Sequence, residues 1–144
     1  MTRTATTDDV AAIVAIEQAC FGAAAWTTGL VLAEVVGDRH VVLLSDDGEA
    51  YGAISVSGDV ADLDRIAVVP EARGRGLARD LLDILIDRAR DLGAERMLLE
   101  VAADNAVARG LYESAGFDTI STRKGYYAGG VDAFVMELAI QEWR

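Results

Sequence analysis

The chain has 144 residues, is 52% hydrophobic, contains one proline and carries a formal charge of −11. That length implies one domain over residues 1–144, burying roughly two-thirds of its unfolded surface, and the composition excludes a disordered chain. The acidic balance argues against nucleic-acid binding, and no apolar run approaches the ~18–20 residues that span a bilayer; with no apolar signal core behind Met1, cytoplasmic residence is expected.

Thr2 to Ala5 read as a short first strand. Thr6 or Thr7 then caps a helix, with Asp8 and Asp9 in the first turn where they favour the dipole. Val10, Ile13, Val14 and Ile16-Glu17 give this helix an apolar stripe, and Thr28 to Val36 read as a second, shorter helix. His40–Ser45 and Ala50–Val56 are strands joined by Asp46-Asp47-Gly48, residues that tolerate the positive φ of a tight turn. Val60 to Val69 is a third strand. Leu77, Leu81, Leu85 and Leu92, with Ala78, Leu82 and Ala89, define a long amphipathic helix that stops at Gly93. Met97–Val101 is a buried strand, Asn105–Ala115 a helix closed by Gly116 with Phe117 packing back, and Phe117–Lys124 and Asp132–Ala139 a final strand pair. Antiparallel strands followed by β-α-β-α-β predict an α+β or mixed α/β sheet with helices on both faces.

Histidine and cysteine each occur once. Cys20 is unpaired and reads as a small buried hydrophobe. His40 is the one histidine; without a second histidine or paired cysteines there is no zinc-ligand set, and His40 reads as a polar residue at a strand edge. No metal is therefore expected. The negative charge suits either a soluble surface or attraction of a cationic acceptor.

The run Arg73-Gly74-Arg75-Gly76-Leu77-Ala78 joins an apolar strand to the start of the long helix. Glycines there let backbone N–H groups and the positive end of the helix dipole approach a phosphate, with Arg73, Arg75 and Arg79 adding charge. A glycine-containing turn with solvated arginines explains the fragment equally well. No lysine follows the glycines as a P-loop requires, and Arg79 stands where a dinucleotide fingerprint needs its third small residue.

The run resembles the Arg/Gln-x-x-Gly-x-Gly/Ala signature of the GCN5-related N-acetyltransferases (GNAT), with Arg73 first, Gly76 central and Ala78 last. A second stretch, Leu98-Leu99-Glu100-Val101 to Asn105 and then Leu111-Tyr112-Glu113-Ser114-Ala115-Gly116-Phe117, is similar to the bacterial ribosomal-protein-alanine N-acetyltransferases of the RimI type. Tyr126-Tyr127, Asp132-Ala133, Met136, Glu17, Phe21 and Trp26 extend the likeness over nearly the whole chain. The resemblance implies the acetyltransferase fold: a mostly antiparallel sheet of about seven strands, splayed at the fourth and fifth, where the pantetheine arm of acetyl-coenzyme A lies. It implies backbone contacts to the coenzyme from Ile66, Ala67 and Val68, and a pyrophosphate loop of Arg73, Gly74, Arg75, Gly76, Leu77, Ala78 and Arg79. It also implies a coenzyme contact from Asn105, Glu100 as base and Tyr112 as acid.

Other readings remain open at several positions. Glu100 interrupts an apolar strand, where an acid is costly unless paired, exposed or functional. Tyr112 taken alone would be core packing, although a phenol of pKa near 10 could protonate a departing thiolate. Gly110, about 1 kcal/mol worse than alanine inside a helix, marks either a close approach or drift. Phe21, Trp26, Tyr126 and Tyr127 either wall an acceptor groove or merely pack. Ala102, Asp104 and Ala25 depart from the family's usual arginine, serine and proline, which loosens the inference about the acceptor.

The expected activity is acetylation of a protein's α-amino group, with a ribosomal protein of small first residue as partner and a monomer favoured. An α-amino pKa near 7.7–8.0, against about 10.4 for lysine, leaves that amine partly neutral without a strong base. A GNAT acting on a small amine, or an acyl-coenzyme A-binding module without catalysis, are the alternatives; neither nucleic acid nor membrane is expected as partner.

Overall fold

The computed structural model describes residues 1–140. Seven strands form one sheet in the order β1-β2-β3-β4-β5-β7-β6. They are β1 (Thr2–Thr4), β2 (His40–Ser45), β3 (Ala50–Ser57), β4 (Val60–Val68), β5 (Arg96–Ala102), β6 (Asp118–Tyr127) and β7 (Val131–Ala139). Four α-helices connect them: α1 (Val10–Phe21), α2 (Thr28–Val36), α3 (Leu77–Asp91) and α4 (Ala106–Ser114). The expected mixed fold class is the one observed. No helix among the described residues is long and apolar enough to cross a membrane.

Period-two alternation distributes the strands between two cores. Val41 and Leu43 of β2 join Leu81, Leu82, Leu85, Ile86 and Ala89 of α3 on one face, together with Tyr112 and Phe117. Val42 and Leu44 turn the other way, to Val10, Ile13 and Ile16 of α1 and Val31 of α2. Gly52 lets α3 lie close on β3: a Cβ there would stand 2.8 Å from a Leu85 methyl.

The helix boundaries follow the sequence signals, with one change at the start. Thr7–Asp9 form a 3-10 turn ahead of α1, and the Asp9 carboxylate accepts the Thr6 backbone N–H at 2.8 Å and both guanidinium ends of Arg3 at 2.7 and 2.6 Å. Asp9 thus ties β1 to α1 in addition to favouring the dipole. Gly116 adopts φ +103 after α4, and the Phe117 N–H returns to the Tyr112 carbonyl at 3.1 Å. The sixth strand runs further than Lys124, through Tyr127, because β7 continues to pair with it.

Two irregularities shape the middle of the sheet. β4 and β5 are parallel and pair only at Val60↔Arg96, Ala61↔Met97 and Asp62↔Leu98, after which they diverge. The β3–β4 register passes from Ala53↔Arg65 to Ile54↔Leu63, so Asp64 is the extra residue of a β-bulge. The bulge puts the consecutive residues Asp64 and Arg65 both toward α1 and α2, while Leu63 and Ile66 face the α3 core.

Candidate active site

The gap between β4 and β5 is the centre of the candidate site. Past Asp62, the edge of β4 that faces β5 has no strand partner, which leaves main-chain groups of Ile66, Ala67 and Val68 available to a ligand. One of them is already engaged, since the Val68 carbonyl accepts from Arg73 Nε at 3.0 Å and from the Cys20 thiol at 3.3 Å. Cys20 is half-buried against the α1/α2 core.

At the wide end of the gap stands the glycine turn. Gly74 and Gly76 adopt φ +83 and +80, and nothing lies within 4 Å of the Cβ either would carry. Gly76 is the N-cap of α3, with no side chain capping the helix. The first turn of α3, Leu77 to Arg79, thus starts without a side-chain cap, the kind of helix start that can receive an anion. The three arginines hold protein neighbours: Arg75 pairs with Glu49 at 3.2 Å and Arg79 with Asp83 at 2.9 Å, and Arg79 also reaches Ser114 Oγ at 3.1 Å on α4. Asn105 is the N-cap of α4, its Oδ1 accepting from the Ala108 N–H at 3.1 Å. Its amide nitrogen makes no hydrogen bond within the described residues and is the donor left for a coenzyme contact. A Cβ at Gly110 would meet nothing within 4 Å, so no protein element approaches there.

Glu100 lies on β5 past the divergence, and its carboxylate pairs with Arg123 Nε at 3.1 Å. Its side chain is 35% exposed, so it belongs to the rim of the gap rather than to the core. Tyr112 is only 7% exposed and packs edge-on to Phe117 at 5.9 Å. Burial, and then the neighbouring Tyr127, push its phenol up to about 12, so it keeps its proton throughout the physiological range. Tyr127 links the two: burial and then Glu100 raise its phenol. Asp62 sits by the same gap, its carboxyl raised by burial, then by Asp64 and Glu100.

A second polar cluster backs the gap on the α1/α2 side. Glu17 is completely buried, and its two oxygens accept from Arg65 Nε at 2.9 Å, Arg65 NH2 at 2.8 Å, the Trp26 backbone N–H at 2.8 Å and the Tyr51 hydroxyl. Burial alone would raise this carboxyl, but the bonds from Arg65, Trp26 and Tyr51 outweigh it and hold the carboxyl below its ordinary value. Phe21 and Trp26 both stack on the Arg65 guanidinium, at 3.9 and 4.7 Å. These two aromatics therefore have a packing role, whereas Tyr126 is half-exposed on β6, edge-on to Tyr127 at 5.1 Å. Sequence reasoning missed Arg123 and Arg65. Opposite charge was the available signal, but each meets its carboxylate only through the strand order or the bulge.

A splayed parallel strand pair and a glycine turn opening on a helix N-terminus fit the class of acyl-coenzyme A-dependent transferases. The chain belongs to the acetyltransferase (GNAT) family, whose model matches residues 11–117, and it is an acetyl-coenzyme A-dependent N-acetyltransferase. It is 44% identical over 110 residues to the [ribosomal protein bS18]-alanine N-acetyltransferase of Salmonella typhimurium, covering 72% of this chain and 74% of that protein. The crystal structure of the ribosomal-protein-S18-alanine N-acetyltransferase from Escherichia coli superposes with a TM-score of 0.88 at 35% identity, covering 97% of this chain and 93% of that one. A Salmonella typhimurium protein solved with its cofactor acetyl-CoA gives a TM-score of 0.83 at 25% identity, covering 100% and 95%.

Proposed function

We infer that the chain acetylates the α-amino group of a protein, the class of acceptor being a ribosomal protein with a small first residue. The observation that carries this reading is the β4–β5 gap with Glu100 on its rim and buried Tyr112 behind it. The names of the relatives give the acceptor class, and the acidic surround of Asp62 and Glu100 suits an incoming cationic chain end.

In this reading acetyl-coenzyme A lies along β4, its pantetheine amides on the free edge at Ile66, Ala67 and Val68. Its pyrophosphate rests on the turn from Arg73 to Arg79, and Asn105 offers its amide nitrogen. The neutral α-amine attacks the thioester carbonyl; the C–N bond forms and the C–S bond breaks. Glu100 takes the proton that nitrogen sheds, directly or through one water, and Tyr112 gives its phenolic proton to the departing sulfur. Solvent exchange then returns a proton to Tyr112 and removes one from Glu100, which closes the cycle without a metal ion in the proton balance. Arg123 holds the Glu100 carboxylate in place before the acceptor enters.

Peptides that begin with a free small residue, assayed beside N-blocked peptides containing lysine, test the reading. Label from acetyl-coenzyme A should pass to the α-amine far faster, as the gap of roughly 2–3 units between the amine pKa values requires. Equal labelling of N-blocked lysine peptides, or turnover only with free small amines, overturns it.

A further inference from the structure

Outside the transfer site, three side chains from three elements converge: Glu34 near the end of α2, His40 at the first residue of β2 and Asp64 at the bulge of β4. Each offers one ligand atom, and these atoms lie within 4.8 Å of one another. His40 Nδ1 stands 3.2 Å from Glu34 Oε2. Glu34 Oε1, His40 Nδ1 and Asp64 Oδ2 are all shut off from solvent, and none has a hydrogen-bond partner. Unpartnered buried polar atoms are rare in folded proteins, and here three of them share one spot. The other Asp64 oxygen accepts from Ser55 Oγ at 3.2 Å, so that carboxylate is fixed with its free oxygen turned to the cluster.

The local backbone holds the donors in place. Gly37 makes room for the imidazole, since a Cβ there would stand 2.5 Å from His40 Cδ2. Arg39, immediately before His40, has φ +57, the one positive φ outside glycine among the described residues. Its guanidinium locks that turn onto the carbonyls of Val56, Gly58 and Leu92 at 3.2, 3.3 and 2.8 Å. The bulge supplies the third donor by turning Asp64 to this face.

Two carboxylates and an imidazole offer nitrogen and oxygen ligands, a set that suits a divalent first-row ion. The side chains of His40 and Glu34 remain 25% and 18% exposed, which leaves an entry path and room for a water ligand.

We propose that Glu34, His40 and Asp64 bind one divalent cation of the zinc class, which clamps α2 to the strands that carry the transfer site. The site is independent of the acceptor reading above, and the cation takes no part in acetyl transfer. The sequence gives no hint of it: the donors are six and 24 residues apart along the chain, and only the bulge aims Asp64 at the other two.

The test uses full-length protein freed of metal by chelator and desalted, then titrated with zinc chloride. Calorimetry should show one equivalent bound, and the melting temperature should rise by several degrees. Because the chain has a single histidine, its imidazole NMR signals report the site directly and should shift to completion at one equivalent. Asp64→Asn and His40→Gln, with unchanged circular dichroism, should each weaken zinc binding at least tenfold; should either misfold, the histidine signals of the wild type decide alone. Unmoved imidazole signals overturn the proposal, as does binding of equal strength in Asp64→Asn. Zinc that binds only weakly at several equivalents, or Asp64→Asn that is stabilised while zinc fails to bind the wild type, points instead to a shared proton and also overturns it.

Discussion

Replacing Glu17 with glutamine exchanges a carboxylate for an amide of the same shape at the centre of the α1/α2 core. Each Glu17 oxygen accepts two donors: Oε1 takes Arg65 NH2 and the Trp26 N–H, and Oε2 takes Arg65 Nε and the Tyr51 hydroxyl. Glutamine keeps one oxygen and turns an NH2 toward the other pair of donors. At the Oε1 position this loses the bonds from Arg65 and Trp26, while at the Oε2 position the Tyr51 hydroxyl can accept from the NH2 and only the Arg65 Nε bond is lost; in both the negative charge is gone. Hydrogen bonds to a charged group contribute about 1.5–3 kcal/mol each, and removing one partner of a buried ion pair costs about 3–5 kcal/mol. Arg65 keeps 21% of its side chain in solvent, which places the loss near the lower end, about 3 kcal/mol. At about 2.1 cal/mol/K per residue, 144 residues give an unfolding entropy near 0.3 kcal/mol/K, so the melting temperature should fall by roughly 10 °C. Calorimetric melts of both proteins at several pH values provide the assay. Glu17 titrates below its ordinary value when folded, so its contribution is full above the unfolded pKa near 4.3 and lost as pH falls through the folded value. The gap between the two proteins should therefore hold from neutral pH to about 5.5 and narrow below about 4. A difference under about 3 °C at neutral pH, or one that persists undiminished in acid, refutes the reasoning. Glu17→Met combined with Arg65→Met should recover much of the loss, because no unpaired charge remains in the core.

Four further outcomes concern the transfer site. Gly76→Val places a β-branched residue at φ +80, where it both strains the turn and blocks anion approach; calorimetry should show acetyl-coenzyme A binding abolished in a protein that still folds. Glu100→Gln should lower turnover by about 10²-fold or more with little change in coenzyme affinity, and near-normal rates at every pH would leave Glu100 a surface partner of Arg123. Tyr112→Phe keeps the ring against Phe117, so the melt should hardly move while turnover falls; with its phenol at about 12, wild-type turnover should show no loss of this acid up to about pH 10. Gly110→Ala fills open space inside α4 and should stabilise the fold by about 1 kcal/mol, read by chemical denaturation, and a simultaneous loss of coenzyme affinity would mark Gly110 as a point of coenzyme approach.

Where a single local signal determined an element, that element was legible in the sequence. The leucine spacing of α3 and the glycine after it set its length, and Gly116 with Phe117 set the end of α4. His40–Ser45 read as a strand, and the structure adds that its alternate residues feed two cores. The turn from Arg73 to Ala78 resembles a phosphate loop in sequence, and in the structure Arg73 donates to the Val68 carbonyl, Arg75 pairs with Glu49 and the following Arg79 pairs with Asp83. Charge composition reveals which groups are present, but their partners depend on the packing.

The features that sequence could not show all arise from the interior of the sheet. The family resemblance implied that β4 and β5 splay, and they do, but the point where their pairing stops, at Asp62↔Leu98, is announced by no residue in either strand. The bulge at Asp64 has a comparable effect on the opposite face. It breaks the period-two rule so that neighbours in sequence share a side, which gives Arg65 to Glu17 and Asp64 to Glu34. Strict alternation would have sent one of these two charges into the α3 core, where neither Glu17 nor Glu34 could reach it. The bulge therefore lets two neighbours in sequence serve two polar clusters on the same face. Deleting Asp64 should restore the alternation by making Leu63 and Arg65 neighbours on opposite faces, so that Arg65, Ile66 and Ala67 keep their faces. The Glu17 ion pair then survives and only the cluster at Glu34 and His40 loses its third side chain; calorimetric melts that show the loss expected for a broken Glu17 pair would refute this.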